Sequence, residues 1–227
     1  MIVIAIDGPA GSGKSTVGRR LAERLGLTYL DTGAMYRAVA FAAIRQGLDP
    51  EDRDRVAALA RAVDIVVDDS GVRVDDIDAT VEIRGPEVTR AVSVVAANPE
   101  VRTELRARQR AWAIERGGGV IEGRDIGTVV FPEALLKVYL TASPEVRASR
   151  RAKEMTDLDY DEVAADIARR DAADSGRADS PLATAGDAVT LDTSDIGIEA
   201  AVDELVGLVE RRRTELAGPG GTPGGAG

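Results

Sequence analysis

The chain has 227 residues and a formal charge of −10, with 44% apolar and only 3% aromatic residues. This length suits one core with one or two insertions, and the acidic balance argues against duplex nucleic acid or an anionic membrane as the main partner. Cysteine and histidine are both absent, which excludes disulfides and thiolate metal sites and removes the commonest general base.

The apolar opening run ends at Asp7, too short for a signal peptide or a membrane span, so a cytoplasmic protein is expected. Ile2–Ile6 reads as a buried strand, followed by GPAGSGKST. Gly8, Pro9, Ala10, Gly11, Ser12, Gly13, Lys14, Ser15 and Thr16 hold the P-loop spacing: a glycine, four residues, then Gly-Lys-Ser. The glycines let successive N–H groups point into one concavity, the following helix adds its N-terminus, and Lys14 adds a full charge. Ser15 offers a hydroxyl to a Mg²⁺ ion carried on the phosphates. The alternative is a glycine-rich turn that binds nothing, but the flanking strand and the amphipathic run TVGRRLAERL favour nucleoside triphosphate binding.

Strand-length apolar segments then recur at Thr28–Leu30, Gly119–Glu122, Leu136–Thr141 and Ala188–Leu191. Helical patterns run near 15–25, 34–46, 100–115, 144–155, 160–173 and 198–216. Ser143 before Pro144 marks a helix start. This alternation predicts an α/β fold with a mostly parallel five-stranded sheet and helices on both faces.

Residues 64–84 break the rhythm: DIVVDD, SGVRVDD and ATVEIR are short β-branched runs joined by turn residues, and they predict an antiparallel meander. Asp68-Asp69-Ser70-Gly71 matches the DxxG of GTPase switches, yet it reads as a hairpin turn, and no Asn-Lys-x-Asp motif follows. The Gly/Pro-rich tail, 218–227, reads as disordered.

Three further stretches bear on chemistry. In LDTGAMYRA, Thr32 and Tyr36 supply hydroxyls and Arg37 a cation near the carboxyl edge of the sheet, where open α/β sheets bind ligands. In VIEGRDIGT, Arg124 stands between Glu122 and Asp125, a phosphate clamp with nearby acceptors or Mg²⁺-water ligands or, equally, a structural ion pair. Arg147, Arg150 and Arg151 share one helix face, and with ARRDAADSGR they read either as solvated arginines or as a lid that neutralises a migrating phosphoryl group. A phosphate-monoester acceptor is already anionic at pH 7, so the missing histidine is no obstacle to phosphoryl transfer.

Together IAIDGPAGSGKST, LDTGAMYRA, IEGRDIGTVVFP and ARRDAADSGR resemble the signatures of bacterial cytidylate kinases, in the same order, over about residues 2–215. The resemblance implies a P-loop three-layer kinase transferring the γ-phosphoryl of ATP to CMP or dCMP with Mg²⁺, acting as a monomer. It implies one unit over 1–217: a core of 1–31, 103–147 and 178–217, a monophosphate-binding insert over about 32–102 with the β-rich meander, and a short helical lid over about 148–177. It also implies site roles. Arg37 and Arg124 resemble ligands of the CMP phosphate, with Thr32 where the family often has serine. Ser93, Arg102, Asp125 and Arg177 resemble the base-reading set, and Arg170 with Asp174 the sugar-reading pair. Arg151 and Arg169 are the expected lid cations, catalytic with Lys14 and Arg124. A kinase for another monophosphate, such as UMP, and a P-loop binding module without turnover are the alternatives.

Overall fold

From Val3 to Asp7 the first strand is buried on every residue, with no polar alternation, so both of its faces must be covered. The computed structural model describes residues 1–154 and 159–217, and the expected disordered tail lies outside the described residues. This strand, β1 (Ile2–Asp7), sits at the centre of a five-stranded parallel sheet. Its partners are β2 (Tyr29–Asp31), β6 (Gly118–Gly123), β7 (Leu136–Thr141) and β8 (Val189–Asp192), in the order β2-β6-β1-β7-β8. The period-2 geometry of β1 divides the core. Val3 and Ala5 face a cluster with Leu30, Ile121 and residues of α2 (Thr32–Arg45), while Ile4 and Ile6 face α1 (Lys14–Leu25) and α8 (Ile198–Ala217). No helix among the described residues is long and apolar enough to cross a membrane.

The meander is a separate three-stranded antiparallel sheet, β3 (Ile65–Asp68), β4 (Gly71–Val74) and β5 (Ile77–Asp78). Two of its three predicted runs are strands, and the third is not. ATVEIR instead forms a turn and a 3₁₀ helix, Glu82–Arg84, because Ala79 and Ile83 are fully buried against the α2 side of the core. The DxxG run is the hairpin turn, with the Asp68 carboxylate accepting from the Ser70 N–H at 2.8 Å.

Two helices were not anticipated, α3 (Arg53–Ala62) and α4 (Pro86–Ala96). Both carry local signals: Asp52 caps α3 by accepting from Arg55 N–H, and Pro86 opens α4 ahead of buried Val88, Ala91, Val92 and Val95. The remaining helices are α5 (Pro99–Glu115), α6 (Pro144–Glu154) and α7 (Tyr160–Ser175), close to their predicted ranges. Helix α5 runs unbroken through the expected core–insert boundary at 102/103, and α6 through the expected lid boundary at 147/148.

Candidate active site

All five parallel strands end at one edge, and the segments leaving β1, β2, β6 and β7 build the site there. Leaving β1, the chain turns through Gly8, Gly11 and Gly13 at φ 153°, 75° and 89°. At Gly8 the need is also steric, since a Cβ would lie 2.0 Å from the Leu140 carbonyl oxygen. Lys14 opens α1, buried, and its ammonium donates to the Pro9 carbonyl at 2.7 Å. Burial and the nearby Arg124 hold its pKa well below the usual lysine range.

The loop lines a cavity of about 740 Å³ whose wall includes Ala10 to Thr16, Asp31, Glu122, Arg150 and Arg151 and, near the start of α8, Thr193, Ile196, Gly197, Ile198 and Ala201. Gly8 and Pro9 are buried behind this wall. The Ser15 hydroxyl donates to Glu122 Oε1 at 2.7 Å, while Glu122 Oε2 is a buried oxygen with no partner. Burial, and then Asp31 paired beside it in the sheet, raise the Glu122 pKa. A hydroxyl, two adjacent carboxylates and an orphaned acceptor suit a hard divalent cation carried on phosphates. The sequence offers Ser15 and the strand-end Glu122 for such an ion, whereas Asp31 joins them only through the β2–β6 register.

A second, smaller cavity of about 80 Å³ adjoins the first, with Thr32, Tyr36, Arg37, Ser93, Arg102, Arg124, Asp125, Arg170, Asp174 and Arg177 all on its wall. All ten residues expected to hold the monophosphate are therefore brought together, although they come from five separate regions of the chain. Arg102, 1% exposed, donates to Asp125 Oδ2 at 2.7 Å and to the Ala96 carbonyl at 3.1 Å, and lies over the Tyr36 ring. Its Nε has no partner. The Asp174 carboxylate accepts from Arg124 Nε at 2.7 Å and from Arg177. Arg37 is braced by the Ile83 carbonyl and the Thr89 hydroxyl, each at 3.0 Å.

Asp7 fixes the segment that follows β6. Its two carboxylate oxygens accept from the Ile126 and Gly127 N–H groups at 2.8 and 2.7 Å, pinning the π-helical turn Ile126–Val130 directly after Arg124 and Asp125.

Arg37, Arg124 and Arg170 line both cavities and so form their shared wall. Burial depresses the pKa of Arg37 to about 10, with Arg170 and Arg151 adding repulsion. Arg170 is likewise depressed to about 10 by burial and then by Arg124. A group of cations lowering one another's basicity is a site that favours an anion. Of the two expected lid cations, Arg151 is on the larger cavity wall. Arg169 is not: it is 70% exposed and pairs with Asp166 on its own helix. On α7 the helical period turns Arg170 inward and so its neighbour Arg169 outward.

The family model described as cytidylate kinase matches residues 4–211. A cytidylate kinase of Mycobacterium avium is 50% identical over 225 residues, covering 95% of this chain and 98% of that protein. One from Corynebacterium glutamicum is 48% identical over 217 residues, covering 92% and 94%. Among solved structures, an uncharacterized protein from Eubacterium ventriosum shares the fold at TM-score 0.52 and 13% identity, covering 92% of this chain and 98% of that one. The sequence match spans nearly the whole chain, including both cavities, and on that ground this chain belongs to the cytidylate kinase family.

Proposed function

We propose that this protein transfers the γ-phosphoryl group of ATP to the phosphate of CMP or dCMP, as a monomer in the cytoplasm. The bond from the γ-phosphorus to the bridging oxygen of ADP breaks, a bond to an acceptor phosphate oxygen forms, and the products are ADP and CDP or dCDP. The observation that carries the reading is the wall of Arg37, Arg124 and Arg170 common to a P-loop cavity and a second polar cavity. Two phosphate-bearing ligands seated in these cavities meet at that wall, where fixed positive charge stabilises the equatorial oxygens of the transition state.

Lys14 and the loop N–H groups would hold the β- and γ-phosphates, and Ser15, Asp31 and Glu122 would hold a Mg²⁺ ion directly or through water. Such an ion screens phosphate charge and keeps the donor aligned. The acceptor phosphate is already ionised near neutral pH, so no protein base is required. Arg102 and Arg177 offer donors to the ring acceptors of cytosine, and Asp125 with Ser93 offers acceptors to its exocyclic amine. Uracil reverses that donor–acceptor pattern at two positions, at about 1–3 kcal/mol for each unpaired group.

The test is ADP release with CMP, dCMP and UMP as acceptors. The expected kcat/KM for CMP exceeds that for UMP by about 10²-fold or more. Equal use of UMP overturns the base assignment, and no ADP release with any acceptor overturns the kinase reading.

A further inference from the structure

The β-rich insert contributes one residue to the wall of the larger cavity, Arg84, at the end of the 3₁₀ turn Glu82–Arg84. The turn is firmly seated: Ile83 is fully buried, and its carbonyl is the acceptor that braces Arg37 at 3.0 Å. The same turn therefore fixes Arg37 and presents Arg84 beside it. Arg84 itself is braced one turn back, Nη1 donating to the Thr80 carbonyl at 2.8 Å. Arg84 is on the wall of the P-loop cavity, with Lys14, Arg124, Arg151 and Arg170, and not on that of the smaller cavity. That placement directs it to phosphate oxygens and away from a base or sugar.

We infer that Arg84 is a catalytic residue that contacts the phosphoryl group in transit, a cation supplied by the insert in addition to those of the P-loop, the β6 end and the lid. This rests on the phosphoryl-transfer reading above. Arg84 joins Arg170 and Arg151 in repelling the Arg37 guanidinium, and cations gathered in this way are stabilised by a polyanion beside them.

Arg84→Gln removes the charge and keeps a donor for the Thr80 carbonyl. With ATP and CMP, kcat is expected to fall about 10²-fold, with KM for ATP changed by less than about threefold. Calorimetric binding of inorganic tripolyphosphate is expected to weaken about tenfold, and Arg84→Lys to recover part of both losses. Arg73→Ala, an exposed cation elsewhere on the insert, is expected to leave both readouts unchanged. Turnover or tripolyphosphate affinity within about twofold of wild type in Arg84→Gln overturns the inference. A wild-type chain that leaves CMP unphosphorylated, while its tripolyphosphate binding still depends on Arg84, removes the kinase reading and keeps the anion contact.

Discussion

Asp7 shows how one side chain carries both stability and site geometry. Burial pushes its carboxyl up to about 6, and two backbone N–H donors only partly oppose that. In the unfolded chain it titrates near 3.8, so between these values the native state binds more protons than the unfolded state. Its contribution to stability is therefore complete below pH 4 and is lost as pH rises through 6. Asp7→Asn does not titrate and turns an amide toward one of the N–H donors. Urea unfolding is expected to show the variant less stable at pH 5, with the gap closing by about 1–1.5 kcal/mol by pH 7.5. A gap that is constant with pH means that Asp7 is ionised throughout.

At the scale of elements, the insert and the parallel sheet are joined through helix ends. Asn98 caps α5 by accepting from the Glu100 N–H at 3.1 Å, and its Nδ2 donates to the Arg53 carbonyl at the start of α3, at 2.9 Å. It is only 4% exposed, so Asn98→Ala removes a buried tie between α5 and α3 as well as a cap. The expected loss is about 1–3 kcal/mol, a fall in Tm of several degrees for a chain of this size. Arg102, four residues on, keeps its own anchors at Ala96 and Asp125, so kcat at 25 °C is expected to stay near wild type. A normal Tm, or a collapse of kcat in folded protein, contradicts this division of labour.

Across the whole molecule, α6 and α7 are tied to the P-loop through one carboxylate. Asp171 on α7 accepts from the Ala10 N–H at 3.0 Å and pairs with Arg147 of α6, whose guanidinium also donates to the Ala10 carbonyl at 3.0 Å. The next residue back is Arg170 on the shared wall, so this contact fixes where that cation stands relative to the P-loop. Asp171→Ala is expected to raise KM for ATP and lower kcat about tenfold, with a smaller change in KM for CMP. Asp171→Asn, which keeps an acceptor for Ala10, is expected to fall between the two. A larger effect on CMP than on ATP assigns Asp171 to the acceptor side instead.

How much of this was legible in the sequence follows the range of each interaction. The P-loop, the five strands and six of the helices are written in local patterns, because spacing, caps and apolar runs act over a few residues. Helices α3 and α4 had such signals too, Asp52 and Pro86, but they lay beside a segment dominated by β-branched alternation. ATVEIR failed as a strand because burial of Ala79 and Ile83 against α2 outweighs local β preference. Of the ten expected residues on the smaller cavity, Ser93, Arg102, Arg170, Asp174 and Arg177 were named through family likeness and Thr32, Tyr36, Arg37, Arg124 and Asp125 also stood out locally, but only folding places them on one wall. Three arrangements depend on tertiary structure alone: the Asp31–Glu122 juxtaposition, the sharing of Asp174 by Arg124 and Arg177, and the outward turn of Arg169. Each is decided by sheet register or by which helix face meets the core, and both are set by contacts between residues far apart in the chain.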